Sequence, residues 1–356
     1  MTISDAAGRE AIGAALPAFV TIAALLALGA LAEAEGLFDR SARWIGRLPG
    51  NGAALYAGCA ALVVATTALF NLDTAVVFIT PVVIRAAMLR GLDPLPFAYL
   101  AILGANAGSL LTPAANPTTL ILLDAGGQGG GPLFAASWAG AVIAAAAVVG
   151  ALALVSRRRL LAPAGAAAAA GDRVERRGWL ALAGVIAVAV SVFTVRAPAL
   201  PVAAVAVAVL SAAVVRGTTT WRAAVRSAEP LKLCLLFGLA VAAGWIGRAV
   251  DLGAVVAGLG PAMTTVAGVV AALAFNNLPA ASAFGGVDPD RLPYLLLGLN
   301  LGPNLAVTGA LSALLWWTAA RRAGVRPSVG MFSVLGAMTT VPALVLAFYG
   351  LDGLRQ

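Results

Sequence analysis

Two apolar segments, one in each half of the chain, are interrupted by the same small motif. Gly104-Ala105-Asn106-Ala107-Gly108 and Gly298-Leu299-Asn300-Leu301-Gly302 match at one constant offset. Each is preceded by an asparagine-centred break: Phe70-Asn71-Leu72-Asp73-Thr74 in the first half, Phe275-Asn276-Asn277-Leu278-Pro279 in the second. Each is followed by a second polar stretch, Thr112-Pro113-Ala114-Ala115-Asn116-Pro117-Thr118 and Pro303-Asn304 with Thr308-Gly309. Asn, Thr, Gly and Pro inside apolar sequence are costly at membrane depth unless they face protein or water. Paired, interrupted segments in corresponding places of two halves are therefore the strongest sequence pointer to a binding site inside a membrane protein.

The bulk composition fits that setting. Of 356 residues, 61% are hydrophobic and only 11% charged, against roughly 25% charged in soluble domains. Ala and Leu dominate and no alternating strand pattern occurs, so the spans are expected to be helical rather than a β-barrel. The net charge of +8 reads as topological, not as a nucleic-acid surface. There are no His residues, so proton chemistry falls to carboxylates. The two cysteines, Cys59 and Cys234, are far apart and off the motifs, which argues for packing and against a disulfide or a metal cluster. No metal site and no cofactor is expected, and a membrane enzyme lacks a nucleophile–base pair to work with. The apolar run from about 11 to 32 is too long for a signal h-region and has no basic n-region, and reads as a retained span.

At about 20 residues per span, full spans are expected at about 11–34, 133–155, 178–195, 199–215, 231–247 and 331–349. Two more, about 97–122 and 291–320, are long enough to cross but broken by the motifs. The segments 51–89 and 261–288 are apolar with a polar break midway, and each reads either as two spans or as one re-entrant hairpin. Charge decides between these. With both as hairpins and the Arg157-Arg158-Arg159 loop cytoplasmic, 18 of the 23 basic residues fall on the cytoplasmic side and 5 outside, as the positive-inside rule requires. The second half is then inverted relative to the first, and both termini lie outside. The expected fold is an all-α membrane protein of two inverted repeats, about 8 full spans plus 2 hairpins. Residues 1–155 form the first repeat, 156–177 a cytoplasmic linker and 178–356 the second repeat. Short amphipathic pieces, Leu37–Leu48 and Val250–Gly260, are expected along the interface. Glu33 and Glu35, and likewise Arg248 and Asp251, read as interfacial helix ends.

The second-half residues carry a family resemblance. Asn276-Asn277-Leu278-Pro279, then Asn300-Leu301-Gly302-Pro303-Asn304 running on through Thr308-Gly309 to Leu314-Leu315-Trp316, resemble the bacterial arsenite/antimonite efflux permease family. Asn71-Leu72-Asp73 with Thr80-Pro81 resembles that family's first-half signature. The wider ion transporter superfamily, which includes divalent-anion/sodium symporters and NhaD-type sodium/proton antiporters, shares inverted repeats with hairpins and broken helices. Two departures stand out: two N-terminal spans of typical arsenite permeases are missing, and Thr112–Thr118 looks more like the generic superfamily pattern.

The resemblance implies a secondary transporter in the inner (plasma) membrane, extruding arsenite or antimonite in exchange for protons. The alternatives in the same class are a sodium- or proton-coupled anion (dicarboxylate-type) carrier and a sodium/proton antiporter. Expected partners are a small inorganic substrate, a coupling ion and membrane lipid, with room for a soluble ATPase subunit and a homodimer, and no nucleic acid. Broken helices leave backbone groups unpaired, and these can hold cations or oxyanions. Asn adds donors and acceptors without charge, which suits a neutral hydroxylated species such as As(OH)₃. No Arg lies inside a motif, where a dicarboxylate would want one. The candidate substrate-binding set is Asn71, Asp73, Thr74, Asn106, Thr112, Asn116, Asn276, Asn277, Asn300, Asn304 and Thr308. Asp73, the one carboxylate within a motif, is the candidate proton-coupling group. The competing reading makes it a helix cap.

Overall fold

The computed structural model describes residues 3–47, 50–69, 72–119, 122, 131–161, 178–195, 199–228, 230–250, 252–284 and 287–353. Among these residues all regular secondary structure is helical. The first half runs α1 Ile3–Ala34, α2 Leu37–Gly46, α3 Gly52–Leu69, α4 Leu72–Leu89, α5 Leu95–Gly108, α6 Gly131–Val155 and the single turn α7 Arg157–Leu160. The second runs α8 Trp179–Thr194, α9 Ala199–Val215, α10 Trp221–Ser227, α11 Pro230–Val250, α12 Leu252–Ala257, α13 Pro261–Phe275, α14 Asn277–Ala283, α15 Leu292–Leu301, α16 Leu311–Arg322 and α17 Val329–Asp352.

Local chemistry sets several of these boundaries. Proline at the first turn opens α5, α13 and α15, where a missing N–H costs nothing. Thr220 and Ser328 cap α10 and α17 through their side-chain oxygens. Gly36 turns the chain at φ 69, and α2 leaves the axis of Phe19–Ala34 at 70°. The amphipathic α2 buries Phe38, Ala42 and Ile45 against α4.

The order of elements repeats between halves. A long helix and a short one, α1 with α2 and α11 with α12, precede a helical pair, α3 with α4 and α13 with α14. A broken helix follows, and then a long closing helix, α6 or α17. Matching members also pack on each other, α1 on α11 and α6 on α17. The core sits around α5, whose residues from Pro96 to Gly108 are all buried.

The two helical pairs differ in length. Both α3 and α4 have 18 residues, about 27 Å each, more than a shallow re-entrant arm requires. The return arm α14 has only 7. By length and composition, Leu72–Leu89, Ser137–Val155 and Val329–Leu351 can each cross a membrane alone, and Phe19–Ala34 with Leu37–Gly46 passes only as a bent pair. Most of the 156–177 linker lies outside the described residues; its first residues form α7.

Candidate functional site

Both broken helices unwind where the motifs predict. After Gly108, α5 gives way to a turn, a 3₁₀ segment Pro113–Ala115 and extended Asn116. After Leu301, α15 gives way to 3₁₀ segments Gly302–Leu305 and Val307–Gly309, separated by extended Ala306. Regular helix resumes at Leu311.

The glycines explain why these segments can sit so close to their neighbours. A methyl group on Gly298 would overlap the Thr265 carbonyl, and one on Gly268 would come 2.8 Å from the Leu295 carbonyl. The α13 and α15 backbones therefore touch, as small residues allow. Gly336 of α17 is tighter still: a Cβ there would collide with the Asn304 carbonyl. The first-half pair is looser, with a Cβ on Gly108 reaching Val64 Cα at 3.3 Å.

Four of the candidate asparagines meet across the two halves. Asn106 Nδ2 donates to Asn304 Oδ1 at 2.7 Å, and Asn116 Nδ2 donates to Asn300 Oδ1 at 2.5 Å. Asn304 Nδ2 lies 3.4 Å from the Leu103 carbonyl, and Asn300 Nδ2 donates to the Leu296 carbonyl at 3.0 Å. Ser312 donates to Asn106 Oδ1 at 3.3 Å, and Thr119 accepts from Asn300 at 3.4 Å. All four amides are buried, none more than 2% exposed. Such a network is worth having only when satisfied, and here each amide makes at least one hydrogen bond to the other half.

The remaining described candidates lie at the tips of the helical pairs or in the breaks beside them. Thr112 donates to the Ala68 carbonyl at 2.6 Å, tying the first break to the end of α3. Asn276 donates to the Thr308 carbonyl at 3.3 Å, tying the second tip to the second break. Asn276 also holds φ 71, alone among the described non-glycine residues in positive φ. That backbone costs about 1–3 kcal/mol and is characteristic of binding sites. Asn277 and Thr74 are buried, Asp73 is half-buried and Thr308 is exposed. Asp73 and Thr74 open α4, which packs along α16, the helix that resumes the second broken span. Asn71 lies outside the described residues.

Three groups that the motifs do not mark belong to this assembly: Ser109, Thr119 and Ser312. Ser109 accepts from Asn116 at 3.3 Å. Ser312 stands at the same constant offset from Thr118 that relates Asn300 to Asn106, so extending the alignment of halves would have found it. Of the two cysteines, Cys59 is buried as expected but Cys234 is exposed, so packing does not explain it. Glu35 is no simple helix end either. It is buried, and its Oε2 accepts the Ala181 N–H at 2.9 Å, capping α8 from the other half of the chain. Glu33 pairs with Arg85, which also meets Asp39 at 3.2 Å.

Paired breaks locked face to face in an apolar, helical molecule are what a membrane transporter is built from. The chain belongs to the citrate transporter family (CitMHS), whose profile matches residues 6–315. That family is one of transporters, not enzymes, and it is named for citrate rather than arsenite. Among solved structures, the YdaH transporter of Alcanivorax borkumensis is similar at 17% identity and a TM-score of 0.48, over 98% of this chain and 86% of that one. No curated protein matches significantly.

Proposed function

We propose that this chain is an ion-coupled secondary transporter of a small carboxylate-bearing anion, citrate being the first candidate, working by alternating access between two inverted repeats. The observation that carries this reading is the pair of unwound helices joined by Asn106–Asn304 and Asn116–Asn300, in a chain of the citrate transporter family. Unwound backbone offers N–H groups to oxyanions and carbonyls to cations. In this reading the four amides hold the two breaks in register. Asn71, Asp73, Thr74, Thr112, Asn276, Asn277 and Thr308 line the substrate path at the tips.

The motifs contain one carboxylate and neither Lys nor Arg. A polycarboxylate left fully charged there would carry a prohibitive desolvation cost. Cations or protons must therefore enter with it, and Asp73 is the residue placed to carry a proton. The protein sits in the plasma membrane with both termini outside. The uncharged amide set favours a second reading, arsenite or antimonite efflux, because a neutral hydroxylated substrate needs no counter-ion.

Proteoliposomes decide between these. Citrate, dicarboxylates, arsenite and antimonite are offered with and without sodium and a pH gradient. Saturable uphill movement of citrate or a dicarboxylate, dependent on one ion gradient, supports the first reading. Movement of the metalloids alone replaces it with the second.

A further inference from the structure

The first half carries a basic rim that the transport site does not use. It begins with α2, which the 70° bend at Gly36 turns away from α1. One face of α2 is buried on α4, and the other presents Trp44, 71% exposed, with half-buried Arg43 next to it and exposed Arg47 close by in the chain. Arg40 donates to the Glu35 carbonyl at 3.1 Å, and its guanidinium lies against Gly178. That contact brings the start of α8 alongside, with Trp179 68% exposed. At the far end of α2, Arg90 donates to the carbonyls of Gly46 and Gly50. Gly52 sits so close to the Leu160 carbonyl that no side chain would fit, which places α7 with exposed Arg157 and Arg158 beside the same loop.

The acidic groups described in this region are engaged within the protein. Glu33 and Asp39 both meet Arg85. Asp93 pairs with Arg159 at 2.9 Å. Glu35 caps Ala181. Among the described residues the charge presented outward is therefore basic, on elements that also carry two exposed indoles. Tryptophan favours the headgroup layer of a bilayer, and guanidinium groups bind phosphate through paired, charge-assisted hydrogen bonds.

We propose that this rim is a docking site for the headgroups of anionic phospholipid, held by Arg43, Arg47, Arg157 and Arg158 and levelled by Trp44 and Trp179. Its occupant is the phosphate of a membrane-anchored lipid rather than free phosphate. Juxtamembrane arginines gain on the order of 1 kcal/mol each from an anionic leaflet, and the indoles fix the depth at which they meet it. Occupancy would fasten α2, and through it α4, whose first turn carries Asp73.

The test uses the full-length protein, purified in neutral detergent and stripped of lipid. Phosphatidylglycerol should raise the melting temperature by about 3 °C or more, phosphatidylcholine should not, and inorganic phosphate should neither reproduce nor compete away the shift. The combined variant Arg43→Gln, Arg47→Gln, Arg157→Gln, Arg158→Gln should melt like the parent without lipid and lose the phosphatidylglycerol shift. An equal shift with phosphatidylcholine, a shift kept in the variant, or full reproduction by phosphate would overturn the proposal. Should the variant fail to fold, the parent protein is equilibrated with equal amounts of both lipids and washed. Preferential retention of phosphatidylglycerol, measured by mass spectrometry, supports the site, and equal retention removes it. Neither readout depends on which solute is transported.

Discussion

Asn116 and Asn300 share a 2.5 Å hydrogen bond although 184 residues separate them in the chain. The second such bond, Asn106 to Asn304, spans 198 residues. Together they make the two unwound segments one mechanical unit. Asn300→Leu removes a buried acceptor and leaves the Asn116 amide without it, at about 1–3 kcal/mol. Asn116→Leu should cost a similar amount. The double variant should cost less than the sum, because no orphaned amide remains. Thermal denaturation of the four proteins measures the coupling, and strict additivity would show that the bond contributes nothing.

Asp73→Asn preserves shape and hydrogen-bonding capacity but cannot titrate. If Asp73 carries the coupling proton, this variant should exchange substrate across the membrane yet fail to concentrate it against a gradient. Asn and Asp are about equal as helix caps, so a purely capping role predicts unchanged uphill transport. Parallel exchange and accumulation assays in proteoliposomes separate the two.

Gly336→Ala should be among the most damaging single-methyl changes in the chain, since the added carbon meets the Asn304 carbonyl. Overpacking of this kind costs about 1–3 kcal/mol or more. Gly150→Ala, where nothing stands within 4 Å, should be neutral or stabilising by about 0.5–1 kcal/mol. Melting temperatures of the two variants check the contrast, and equal values would refute it.

Labelling tests the topology. With Cys234, which is exposed, first replaced by Ser, a cysteine at Arg43 or Arg90 should react only from the cytoplasm. One at Asp288 should react only from outside. Labelling of Arg43 and Arg90 from opposite sides would mean that 51–89 crosses the membrane an odd number of times, ending the hairpin reading of that segment.

The breaks were legible because Gly, Asn and Pro in apolar sequence have few other uses. Their positions at 109–116 and 302–310 follow directly from Gly108 and Gly302. What the motifs do not tell is where each asparagine spends its hydrogen bonds. Asn106, Asn116, Asn300 and Asn304 read as ligands from the sequence, and three-dimensional pairing turns them toward each other. Gly336 leaves no mark at all, being a lone glycine in an apolar helix whose meaning lies in a carbonyl 32 residues away. The cap role of Glu35, at the end of α1, leaves no mark for the same reason: its partner, Ala181, is an ordinary residue of another helix. The unequal lengths of the two helical pairs were hidden because helix length within an apolar run depends on where a partner lets the helix stop.

The Glu35 cap has a consequence for biogenesis. Its carboxylate is translated 146 residues before the N–H it serves, so it waits in the bilayer for a helix that does not yet exist. Until α8 arrives that acid lacks its Ala181 partner, and α8 gains this cap only once the first half is in place. A gene divided within codons 162–177 should therefore yield two fragments that are stable when produced together, the second being degraded when produced alone. Replacing Glu35 with Ala should weaken that rescue while leaving the first fragment's own insertion intact.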